Sequence, residues 1–142
     1  MRQGTILVHL DWPWVFAPEE VEPALFSKCE DVINKLHAAV HQSTEPVIAI
    51  KTPSFCQFNA TPHHIQVKLD SLDKKTDFAI AASDNLEEVG TTAALQFPNV
   101  QVWKIGGFWR DLCCADIKYG VKEVSRAIIP HDWSVYVELR KE

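Results

Sequence analysis

The stretch Val100-Gln101-Val102-Trp103-Lys104-Ile105-Gly106-Gly107-Phe108-Trp109-Arg110-Asp111-Leu112-Cys113-Cys114-Ala115-Asp116-Ile117-Lys118-Tyr119-Gly120 decides the fold class. It opens with the residue types of a buried strand, turns through two glycines and a bulky aromatic corner, and continues with helical spacing at Leu112, Ala115, Ile117 and Val121. That is the order strand, tight turn, helix. Cys113 falls in the first turn or two of the helix. Unpaired N–H groups and the positive end of the macrodipole there favour a thiolate over a thiol.

Working outward, the chain repeats this alternation. Thr5-Ile6-Leu7-Val8-His9-Leu10 reads as a first strand, ended by Asp11 and by Trp12-Pro13-Trp14. Leu25, Cys29, Val32, Ile33, Leu36 and Val40 recur at steps of three and four, the stripe of an amphipathic helix packing on a sheet, with Cys29 as a small buried hydrophobe. Pro46 to Ile50 follows as a second strand, giving a β-α-β unit and hence a parallel pair. His64-Ile65-Gln66-Val67-Lys68 alternates like a strand, and Leu69 to Thr76 reads as a loop. The segment Phe78 to Val89 has helical spacing, with Asp84 as the alternative cap of a shorter helix beginning near Asn85. Beyond the cysteine helix, Ser125 to Ile129 reads as a strand, and Trp133 to Leu139 alternates as an edge strand of either orientation. The expectation is one domain spanning residues 1–142. Its class is α/β, a three-layer α/β/α Rossmann-like arrangement with a mainly parallel central sheet.

Composition limits what this domain does. With 142 residues and 46% hydrophobic content, one core is large enough to need no disulfide scaffold. A net charge of −5 without a basic block argues against a nucleic-acid partner. Apolar runs of strand length, and an N-terminal run too short for a signal peptide, predict no membrane span and a cytoplasmic protein. The four cysteines, at 29, 56, 113 and 114, have no CxxC spacing and read as free thiols. His63 and His64 are adjacent, and neighbours on an extended chain point to opposite faces, so no metal site is expected. No cofactor is expected either.

Asp11, Lys68 and Cys113 each stand just past the end of a predicted strand. If the strands are parallel, all three share one rim. A carboxylate takes the thiol proton, an ammonium holds both anions, and the thiolate attacks a carbonyl. N–H groups around the turn into the cysteine helix would supply an oxyanion hole. Lys74 and Lys75 compete with Lys68, because the loop placement is free to slide. Trp12, Trp14, Phe108 and Trp109 fall at the same rim and suggest a flat apolar pocket for a small-molecule substrate or ligand. Cys114 reads as packing.

These residues resemble the isochorismatase-like cysteine hydrolases, which include nicotinamidases. In that family the first strand ends in hydrophobic-Asp-Met-Gln-x-x-Phe, and Leu10-Asp11-Trp12-Pro13-Trp14-Val15-Phe16 keeps Asp and Phe at that spacing. The later signature Gly-x-x-Thr-x-x-Cys-Val is matched by Gly and Cys in Gly107-Phe108-Trp109-Arg110-Asp111-Leu112-Cys113-Cys114. The family commonly has a cis peptide in this turn. Its lysine ends a strand upstream of an aromatic-Ser-Ala-Phe element, and Val67-Lys68 stands ten residues before Asp77-Phe78-Ala79. The resemblance implies that Asp11 is the base, Lys68 the charge stabiliser and Cys113 the nucleophile of a small-molecule amidase. With the exposed last strand, it makes a homo-oligomer a reasonable expectation. A catalytically silent relative that binds a small aromatic ligand or assembles as an oligomer is the competing expectation. A redox role for Cys113 and Cys114 is a third, set against the strain of a disulfide between neighbours.

Overall fold

A computed structural model describes residues 2–53 and 59–138; Cys56 lies outside them. The sheet is five-stranded and all-parallel in the order β3-β2-β1-β4-β5, formed by β1 (Gln3–Val8), β2 (Val47–Lys51), β3 (Phe78–Ala81), β4 (Val102–Gly107) and β5 (Arg126–Ile128). Helices α2 (Leu25–His41) and α3 (His63–Lys75) alternate along the chain with these strands, as do α4 (Leu86–Leu95) and α5 (Cys113–Val121), while α1 (Trp12–Val15) is a single turn after β1. The chain is thus a three-layer α/β fold, as the alternation predicts.

Period-two alternation sorts the strand side chains between two cores. From β1, Leu7 joins Leu25, Cys29, Leu36, Ile65 and Leu72 on the α2–α3 side. Ile6 and Val8 join Ile48, Ile105, Ala93 and Ile117 on the α4–α5 side. The predicted stripe of α2 is buried as read.

Three segments differ from the sequence expectations. His64–Lys68 is helix, not strand, because Ile65, Leu69 and Leu72 recur at i, i+4 and i+7 and bury one helical face behind Pro62. That period overrides the short alternation of Ile65 and Val67, and it absorbs the expected loop up to Lys75. Phe78–Ala81 is strand, paired with Ile48–Lys51, so the helix predicted there starts only at Leu86. Its cap is Asn85, whose side chain accepts the Glu88 N–H, rather than Asp84. Finally, the described part of Trp133–Leu139 has a 3-10 turn (His131–Trp133) and a single bridge, Gly107 to Ser134. Trp133, Val135 and Val137 pack instead against the α2 cluster, which draws the segment off the sheet edge.

Two close approaches lock the layers. Gly107 has φ +128°, and a Cβ there would lie 2.2 Å from the Val8 carbonyl oxygen of the adjacent β1. Helices α4 and α5 cross backbone to backbone. A Cβ on Gly90 would meet the Ile117 carbonyl at 2.3 Å, and one on Gly120 the Glu87 carbonyl at 1.8 Å, while the Thr91 hydroxyl donates to the Gly120 carbonyl at 2.8 Å. Gly107→Ala combines a positive φ with a backbone clash, so it is expected to lower unfolding stability by about 3 kcal/mol in urea titration. A loss near that of an exposed surface change would show the β1–β4 contact to be looser than described.

Candidate functional site

Parallel strands end together, and in open α/β sheets the crevice outside their carboxyl ends is where ligands bind. Here the strand order reverses direction between β1 and β4. Asp11, three residues past β1, and the turn Gly107–Cys113 after β4 both stand at that rim. The Phe108–Trp109 peptide bond within this turn is cis.

A cavity of about 100 Å³ opens beside Asp11, floored by Leu7, Leu10, Ala49 and Leu69 and edged by His9, Lys51, Thr52 and Asp73. The Thr52 hydroxyl donates to Oδ1 of Asp11, and Lys51 pairs with Asp73 of α3. His9 is only 4% exposed, and neither ring nitrogen has a hydrogen-bond partner. Its ring stacks on Trp12 at 4.3 Å, and Trp12 stacks in turn on Phe16 at 4.4 Å. Burial lowers the His9 pKa to about 4. The Phe108 carbonyl works against this shift, although it makes no hydrogen bond of ordinary geometry. At neutral pH the imidazole is uncharged.

Cys113 is the first residue of α5 and half-buried against the α4–α5 core. The thiolate expected from its helix position is not favoured. Burial, with the Asp116 carboxylate one turn on, pushes its pKa up to about 11 against the backbone N–H groups of Trp109 and Cys113 that face the sulfur. Desolvation therefore outweighs the helix terminus. Cys114 is fully buried, its thiol pushed up to about 12 by burial, with the Ser134 hydroxyl at 3.7 Å.

The rim does not gather the other predicted residues. Lys68 sits in the middle of α3, not at a strand end, and donates to Asn34 of α2 in an exposed contact between the two helices. Lys74 and Lys75 are exposed in the last turn of α3. Trp14, Phe108 and Trp109 are buried core, while Trp12 is spent on its stack with His9 and Phe16; none of the four borders the cavity. Among the described residues no group of three or more His, Cys, Asp or Glu side chains is placed to hold a metal ion, and no helix is long and apolar enough to cross a membrane.

Sequence reading passed over His9, Lys51, Thr52 and Asp73. Lys51 and Thr52 follow the second strand as Asp11 follows the first, so the rim rule reaches them. His9 and Asp73 carry no such signal, since each depends on what folds over it.

No protein-family model, curated protein or solved structure matches the chain.

Two titrations follow. The folded pKa of His9 lies below the unfolded value of 6.5, so its neutral form stabilises the fold fully above pH 6.5. As pH falls from 6.5 towards 4, the unfolded chain takes up a proton that the native state refuses, and roughly 3 kcal/mol is lost. Urea unfolding at pH 7.5 and 4.5 should show the loss, and His9→Phe should remove that share of it. An unchanged slope in His9→Phe would mean that other groups carry the acid sensitivity. Iodoacetamide should alkylate Cys113 about three hundredfold more slowly at pH 7.5 than a free thiol of pKa about 8.5, with the rate climbing towards pH 11. Fast labelling at neutral pH would overturn the protonated thiol.

Proposed function

We propose that this chain is a small-molecule-binding protein built on a fold resembling that of isochorismatase-like hydrolases, and that it does not hydrolyse what it binds. One observation carries the reading. The cavity at the rim is built around Asp11, while Cys113 stands outside it with a protonated thiol and the expected lysine is bound to Asn34 elsewhere. A nucleophilic thiol needs a base within hydrogen-bond reach and a positive charge to hold its anion. Here the carboxylate acting on Cys113 is Asp116, whose charge opposes ionisation. The Asp11 cavity keeps what binding requires, a partly apolar floor with a few fixed polar groups.

Hydrolysis is the second reading, and it has a specific support. The N–H groups of Trp109 and Cys113 both face the Cys113 sulfur, where an oxyanion hole for an attacked carbonyl would lie. Under that reading Asp11 is the base, and the charge-stabilising role of Lys68 passes to a cation outside α3.

A panel of small amides, amines and acids separates the two. Binding is read from amide chemical shifts at Leu10–Asp11 and Ile50–Thr52, turnover from product release, and covalent capture from intact mass. The expected result is saturable binding with no turnover and no adduct, unchanged in Cys113→Ala and lost in Asp11→Asn. Product release with an acyl adduct on Cys113 would restore the hydrolase.

A further inference from the structure

The Asp11 cavity has a sign and a size, and both restrict its occupant. Two carboxylates, Asp11 and Asp73, face one ammonium, Lys51. Lys51 is already paired with Asp73, and both are well exposed, so that pair contributes little net field. Asp11 shares only Oδ1, with the neutral Thr52 hydroxyl. Its second oxygen has no donor among the described residues. His9 borders the same cavity, but its ring nitrogens are sealed from it, so the ring offers an occupant apolar contact only.

The free oxygen of Asp11 is the unmet polar need that opens onto this cavity, and what it lacks is a donor. We propose that the cavity takes a short primary alkylammonium, with the ammonium on the free oxygen of Asp11 and the alkyl part on Leu7, Leu10 and Ala49. An ammonium offers three donors and no acceptor, and it supplies the missing positive charge. A carboxylate would meet Asp11 with like charge and bring no donor. A neutral amide would supply donors but also a carbonyl facing acceptors. At about 100 Å³ the cavity is small, which favours a short alkyl chain.

This inference rests on the reading of the cavity as a ligand site, and its test keeps the two apart. The full chain at pH 7.5 is titrated with n-propylammonium chloride, propionamide and sodium propionate at constant ionic strength, following the amides of Asp11 and Thr52. The expected result is saturable binding of propylammonium alone, with Kd on the order of 1 mM for so small a ligand. Asp11→Asn should weaken it at least tenfold. Asp73→Asn, an exposed change that leaves the Lys51 ammonium unpaired in the wall, should weaken it several-fold and admit propionate. Binding of propionamide or propionate in preference to propylammonium would overturn the ammonium and leave the cavity a ligand site. Silence from all three would also overturn it, and silence from the wider panel above would remove the site as well. Equal propylammonium affinity in wild type, Asp11→Asn and Asp73→Asn would place binding elsewhere and overturn the proposal.

Discussion

At the C-terminal ends of β1 and β4 the backbones come so close that the Val8 carbonyl leaves no space for a side chain at Gly107. Much of the architecture depends on that contact. It sets the register of the central parallel pair, from Gln3 opposite Val102 to Val8 opposite Gly107. It directs the chain through the turn that starts α5, and it leaves Asp11 and Cys113 on one rim. The glycine contacts between α4 and α5 act similarly one layer away: Gly90 and Gly120 let the helices meet backbone to backbone, and Thr91 ties the crossing with a hydrogen bond.

Desolvation governs the chemistry of the rim. Local sequence places Cys113 where a helix terminus offers its N–H groups, an arrangement that favours a thiolate when solvent or a cation completes it. Here the sulfur is half-buried on the α4–α5 core with an acidic neighbour, and the protonated form prevails. Burial does the same to His9 in the opposite sense, keeping it uncharged. Asp11 stays at the rim with one oxygen on the Thr52 hydroxyl, and the cavity beside it does not include the thiol.

Much of the fold was legible in residue patterns. The run of α2 and the strand–turn–helix at β4 and α5 carry long, regular signals, and the structure has both. Reading failed where two periods overlapped in a short window. Ile65 and Val67 alternate like a strand, but the longer repeat through Leu69 and Leu72 buries more surface and makes α3 a helix. Lys68 was misplaced by the same ambiguity. Phe78–Ala81 pairs with β2 although its side chains are largely exposed, so burial pattern could not mark it as strand. Trp133 to Val137 had the opposite difficulty: it alternates well, but α2 offers its apolar residues a better surface than the sheet edge does.

The sequence by itself determined a layered α/β domain, a carboxylate just after the first strand, and a cysteine at the head of a helix, because each rests on local periodicity and on which residues end a strand. Tertiary structure alone decided which of these groups meet. The packing of α3 took Lys68 away to Asn34, brought Asp73 to Lys51 and closed the cavity beside Asp11. The two cores set how much water reaches Cys113 and His9. Those outcomes depend on contacts between residues distant in the chain and on the dielectric they create, neither of which is written in any single stretch of it.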